Sequence, residues 1–382
     1  MILVVILWTV FDKFKRSIWI KNKWILLIAS LFPIAVVISF MSLAGHHSAL
    51  SVLKSWYWPL IACPVAVIAS DRKSLTPLLI GFLIGLLTAN GFSYFNAIRF
   101  SFLHPEIAFM SDAFRITSFW DVSRWGFLSG FALLLLLQLL AVSKHRERMI
   151  YGTAFVFSLI PFLLTNTRAP LLALVIISIG LILSDARIRK YAALLVFSLI
   201  VFAGTIPSYQ ERFASIFQVQ IKGEKLVSTN QSNLGRLNMW KVAIDFFKEQ
   251  PIFGTGFEKS SEPMRNFLQR QDPEYIKSYV SQEFSLSDQH SSYLTSLVQF
   301  GFLFTFLCLL IFSAIFVKTG LALVINKPYT ARIALVGLTY CFIVFFFYSA
   351  FSSYEAALFF ALLSLGVLTF SNEPKPSRAD IL

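Results

Sequence analysis

The stretch S-D-Q-H-S-S-Y-L-T-S-L-V-Q-F-G, residues 287–301, closes a long polar segment and opens an apolar one. His290 stands at that border, one of five histidines in 382 residues, two positions after Asp288. Imidazole is the side chain best suited to take a proton near neutral pH, and a nearby carboxylate can orient the ring. Two blander readings stay open. Asp288 can be the N-cap of a helix that begins here, and an interfacial histidine can be purely structural.

Two arginines are the other candidates. Arg168 lies in T-N-T-R-A-P between two apolar runs. A guanidinium near a membrane is costly unless solvated or paired, so it is a functional hypothesis by default; the alternative is a residue snorkelling to the interface. Arg236 begins R-L-N-M-W-K-V-A-I-D-F-F-K-E, residues 236–249, where Leu237, Trp240, Ile244 and Phe247 recur at helical spacing opposite Lys241, Asp245 and Lys248. This predicts an amphipathic helix capped by Ser232 or Asn233 and stopped at Pro251. A base in its first turn is misplaced for the helix dipole unless an anion binds there. The alternative is an ordinary surface arginine.

Other chemistry is thinly supported. His46, His47, His104 and His145 make no metal-ligand spacing with any partner. The three cysteines lie far apart inside apolar runs, with no C-x-x-C, and read as small buried side chains, neither disulfides nor zinc ligands. G-T-G-F-E-K-S (254–260) lacks the order of a phosphate loop, and G-T-G reads as a flexible turn. There is no D-x-D, and D-P-E (272–274) reads as a solvated turn. No metal and no cofactor are expected.

The elements that must position these residues follow from composition. The chain is 57% hydrophobic and 14% charged, with 41 phenylalanines; a soluble domain has nearer a quarter charged. Apolar segments fall at 1–11, 24–45, 52–70, 75–98, 123–143, 149–167, 169–185, 191–206, 292–317, 331–351 and 354–371. Most approach the roughly 20 residues that cross a bilayer. The expected fold is an all-α polytopic membrane protein of 11–12 spans. The segment 1–11 is too short to cross; either it packs as a partial helix or the natural start lies upstream. It precedes its positive charges, unlike a signal peptide.

Basic clusters at 13–23, 72–73, 144–148, 187–190, 318–332 and 375–378 fall on one side of this arrangement, the cytoplasmic one by the positive-inside rule. The opposite side holds 207–291, which carries ten Lys or Arg and ten Asp or Glu. The formal charge of +13 therefore comes from the rest of the chain. It reports orientation, and nucleic-acid binding is the weaker reading because no basic stripe with interleaved aromatics appears. A structureless loop of this length would be unusual, so 207–291 is expected to be folded and functional. The organisation is then 1–206, N-terminal spans; 207–291, an outer loop with amphipathic helices; and 292–382, C-terminal spans with a short tail.

Four motifs stand in order: T-x-T-R-A-x-L-L-A-L at 165–174, G-R-x-x-M-W at 235–240, P-x-x-G-x-G at 251–256, and H-x-x-Y-L at 290–294 with Gly301 eleven residues after His290. Over about residues 120–320 the series resembles the O-antigen ligase and O-antigen polymerase superfamily of bacterial inner membranes. The resemblance implies a GT-C-type glycosyltransferase facing the periplasm. Its donor would be a glycan on undecaprenyl pyrophosphate. His290 would deprotonate the acceptor hydroxyl, and Arg168 and Arg236 would bind the diphosphate. Asp288, Trp240 and Tyr293 would support them. The chain departs from the family with Ser291 where Asn is frequent, Gln299 where an acid is frequent, and eleven spans where twelve are usual.

Within the superfamily, the single long outer loop favours an O-antigen ligase acting on a lipid A–core acceptor in lipopolysaccharide assembly. Polymerases, the alternative, commonly spread polar mass over two loops. Protein O-glycosyltransferases carry more chain after the last span. A transporter or flippase predicts mid-span charges and internal repeats, which the sequence lacks. The expected partners are the lipid-linked glycan, the lipid A–core acceptor and membrane lipids, with no nucleic acid.

Overall fold

The computed structural model describes residues 22–70, 72–107, 114–184, 186–206, 210, 220–222, 225–227, 231–280, 284–326, 329–349 and 355–371. The apolar segment 1–11 and the tail after 371 lie outside the described residues.

Every apolar segment within the described residues is helical. In chain order these are α1 (Lys23–Met41), α2 (Gly45–Ser55), α3 (Ala62–Ser70), α4 (Arg72–Leu103), α5 (Val122–Val142), α6 (His145–Leu164), α7 (Arg168–Ser184) and α8 (Arg189–Thr205). The polar segment supplies β1 (Gln220–Lys222), β2 (Lys225–Val227), α9 (Gln231–Phe247), α10 (Ser261–Gln269) and α11 (Pro273–Tyr279). The chain then returns through α12 (Ser292–Asn326), α13 (Tyr329–Phe347) and α14 (Glu355–Ser371). Among the described residues six helical stretches are long and apolar enough to cross a bilayer, and α7 and α14 are shorter apolar helices. This is an all-α polytopic membrane fold. The β1–β2 hairpin pairs antiparallel, Ile221 opposite Leu226, in a loop expected to carry amphipathic helices.

Local chemistry sets several boundaries. Asn22 caps α1 and Asp121 caps α5, each accepting two backbone N–H groups. Asp272, read above as part of a solvated turn, caps α11 instead, accepting from Tyr275 N at 2.7 Å with Pro273 at the first helical position.

The core runs through α1, α5, α7, α12, α13 and α14. Trp56, fully buried, meets Phe300, Phe304 and Phe360 with ring centroids 5.4–6.3 Å apart. Large apolar side chains on the outside, such as Phe102, Leu183 and Val324, are exposed, as acyl chains would require. Lys318 of α12 lies over the Trp24 ring of α1 at 5.5 Å.

One span is broken. Gly301 sits inside α12 at φ +75°, ψ 179°, a conformation that glycine alone adopts without strain. The break frees backbone groups that a bilayer cannot satisfy. Residues 251–256 fill them. Thr255 N and Gly256 N donate to the carbonyls of Val298 and Gln299, both at 2.9 Å. Phe302 N and Leu303 N donate to Pro251 and Ile252 at 2.7 and 3.4 Å. The G-T-G stretch is therefore a clamp and not a flexible turn. It also holds the α1–α2 turn, since Leu43 N and Ala44 N donate to Gly254 and Thr255.

Candidate functional site

His290 lies in the short link between the polar segment and α12. The link is fixed by its own polar groups. Ser285 Oγ accepts from Asp288 N at 3.0 Å, and Asp288 Oδ1 accepts from His290 N at 2.7 Å. Asp288 thus closes a local turn and is not the cap of α12, which begins at Ser292. His290 takes φ +48°, a left-handed conformation costing about 1 kcal/mol for a non-glycine residue. Its Nδ1 is 3.7 Å from Asp288 Oδ2, an ion-pair distance longer than a hydrogen bond.

The helix α9 holds this link from one side. Trp240 Nε1 donates to the Gln289 carbonyl at 3.0 Å. Its ring meets Phe346 edge-on at 5.5 Å and Phe347 at 6.3 Å, at the end of α13. Arg236, one helical turn before Trp240, is half-buried. Burial pushes its pKa down and the Asp288 carboxylate pushes it up. Asp288 therefore acts electrostatically on Arg236 while it shapes the His290 turn.

Two expectations about α9 need correction. The helix starts at Gln231, so Arg236 is in its second turn and not its first. The buried face is Met239, Val242, Ala243 and Phe246, while Ile244 is exposed. Apolar residues occur nearly all round this helix, so two faces can be used. The buried one packs with Met264, Phe267 and Val298, and the Trp240 face leans on α13.

From the other side, Ser292 is tied to α13. Its N and Oγ both donate to the Tyr348 carbonyl, at 3.2 and 2.7 Å. Tyr293 donates its hydroxyl to the Phe342 carbonyl at 3.0 Å. Tyr348 in turn donates to Glu355 at 3.2 Å. Glu355 is fully buried and pairs with Arg124 at 3.3 Å; Arg124 also pairs with Asp121 at 3.1 Å. Sequence reasoning missed this cluster. Its signal was a lone glutamate opening an apolar span and an arginine three residues after a helix-capping aspartate.

Arg168 is the first residue of α7, half-buried, at the same end of the bundle. The turn before it carries Asn166 at φ +51°, and Thr165 and Thr167 share a hydroxyl hydrogen bond of 2.9 Å. Thr167 touches Gly126 closely enough that a Cβ there would sit 2.2 Å from Thr167 Oγ1. Asp288 and His290 are thus brought together, with Trp240 of the Arg236-bearing helix bonded to the link between them. The turn before Arg168 packs on α5 through Thr167 and Gly126, and α5 connects to Ser292 through Arg124, Glu355 and Tyr348.

Two cavities flank the first turns of α12. One of about 30 Å³ is lined by Tyr293, Ser296, Cys308, Phe312, Phe342 and Phe359 among others. The other, about 10 Å³, is lined by Trp56, Thr295, Ser296, Gln299 and Ser349 among others. Ser292 borders both. Among the described residues no three His, Cys, Asp or Glu side chains are grouped to hold a metal.

The site therefore offers a base candidate, a cation under the influence of the same carboxylate, and a small apolar cavity. Residues 153–310, from α6 to the middle of α12, match the family model described as O-antigen ligase. No curated protein matches the chain.

Proposed function

From the premise that the chain belongs, through residues 153–310, to the O-antigen ligase superfamily, we propose that it is a GT-C-type O-antigen ligase. Its substrates in the membrane are lipid-linked glycans. The donor is a polysaccharide on undecaprenyl pyrophosphate and the acceptor a sugar hydroxyl of lipid A–core. The polar segment and the site face the periplasm of the bacterial inner membrane. The observation that carries this reading is His290 Nδ1 lying 3.7 Å from Asp288 Oδ2, on a link whose Gln289 carbonyl is held by Trp240 of the helix that carries Arg236.

The chemistry follows from those groups. With Nδ1 turned toward Asp288, His290 keeps Nε2 free to take the acceptor hydroxyl proton. The acceptor oxygen attacks the anomeric carbon as the bond from that carbon to the diphosphate oxygen breaks. The electron pair leaves with the diphosphate. Arg236 and Arg168 stabilise the charge that develops there, taking the part a divalent cation plays elsewhere. The single long segment before α12 favours the ligase over the polymerase.

The test is complementation. The gene is placed in a Gram-negative strain lacking its own ligase, with matching core and O-antigen, and the lipopolysaccharide is run on a gel. A ladder restored by the wild type and lost in His290→Ala supports ligation; loss of a general base lowers rate roughly 10²–10⁴-fold. Full activity only in a polymerase-deficient strain moves the assignment to polymerase. Failure in both, with normal membrane levels, refutes the reading.

A further inference from the structure

Gln289 is 1% exposed, and neither its side-chain oxygen nor its nitrogen has a hydrogen-bond partner among the described residues. It stands between Asp288 and His290. Its main chain is pinned, because Trp240 Nε1 holds its carbonyl and Asp288 Oδ1 holds the next N–H. Leaving a buried amide unsatisfied destabilises a folded chain, and an apolar residue of the same size would not carry that cost.

We infer that Gln289 is a specificity-determining residue that reads the acceptor sugar, an inference that rests on the proposed function. An amide offers a donor and an acceptor together, and a pair of sugar ring hydroxyls matches both. A diphosphate accepts only, so it would leave the amide oxygen unsatisfied, and the Asp288 carboxylate next door disfavours an anion. The sugar that meets His290 is the one whose hydroxyl loses the proton. Reaching that sugar from its buried position requires the amide to change rotamer while Trp240 holds the main chain.

The experiment uses the purified full chain in nanodiscs, with lipid A–core and the undecaprenyl-linked glycan of the complemented strain as probes. Gln289→Leu and Gln289→Met remove the amide at similar volume. Both are expected to keep or raise the Tm. The KM for lipid A–core is expected to rise on the order of 10–100-fold, because a site built to hydrogen-bond a hydroxyl binds poorly once its polar group is gone. The KM for the lipid-linked donor stays unchanged. A wild-type acceptor KM in both variants would overturn the inference. So would a fall in Tm in both, which would make the amide structural, or a rise confined to the donor KM. A wild type that glycosylates no acceptor refutes the proposed function itself and takes this inference with it.

Discussion

Replacing Gly301 by alanine tests the link between the broken span and the site. At φ +75°, ψ 179° a side chain is strained by about 1–3 kcal/mol. The added Cβ would lie 2.1 Å from the Ile252 carbonyl oxygen and 2.7 Å from Gly254 N, so the 251–256 segment must withdraw. Withdrawal breaks the bonds from Thr255 N and Gly256 N to α12, and those from Phe302 N and Leu303 N to the clamp. At about 1 kcal/mol net for each of these, the total with strain is roughly 5–7 kcal/mol. Gly320→Ala in the same helix is the control: nothing lies within 4 Å of its Cβ, and alanine there favours the helix by about 1 kcal/mol. Thermal unfolding in detergent, with limited proteolysis of the clamp, measures both. Gly301→Ala is expected to unfold far earlier, to expose 251–256 to protease, and to lose transferase activity, since residues 292–300 follow His290 directly. Equal stability of the two variants to within 1 kcal/mol would refute the reasoning.

Trp240→Phe keeps an aromatic ring against Phe346 but loses the bond to the Gln289 carbonyl; a loss of about 1 kcal/mol and a several-fold fall in glycan transfer are expected, read by melting and by the lipopolysaccharide ladder. Arg124→Ala leaves the buried Glu355 without that ion pair and should cost about 3–5 kcal/mol, with Glu355→Gln in the same chain recovering part of it; single and double variants of equal Tm would show that the pair does not matter. Asp245 is pushed up by burial, but hydrogen bonds from Lys241, Lys248 and Tyr275 outweigh this and hold its pKa below the ordinary value. Its folded pKa lies below the unfolded one, so its contribution is complete above about pH 4 and is lost as pH falls through the folded value. Asp245→Asn should therefore lower the stability of the α9–α11 unit at pH 7 by about 1 kcal/mol, and hydrogen exchange should show variant and wild type converging in acid.

Much of the fold is legible locally. A bilayer demands long apolar runs, so hydropathy alone marks α5 to within a residue at both ends and the start of α1, whose end it overshoots by four residues. The ordered motifs single out His290, Arg168 and Arg236. The burial of α9 was less legible, because a helix apolar on several sides does not say which face meets which partner. Arg236 was misplaced within its helix because Gln231–Leu234 joined it upstream without an apolar repeat to announce the start.

The sequence by itself determined the membrane class, the position of the spans, the asymmetry of charge and the residue types available for transfer chemistry. Each of these depends on composition or on spacing within one segment. Only the tertiary structure decided that Asp288 serves Arg236 and His290 at once, that Glu355 ties Arg124 to the strand of contacts reaching Ser292, and that P-x-x-G-x-G closes on Gly301. Arg236 and Asp288, Arg124 and Glu355, and the 251–256 segment and Gly301 lie tens to hundreds of residues apart in the chain. A buried charge or an unbonded carbonyl must find a partner in space, and local pattern does not say which distant residue the packing of helices will bring to it.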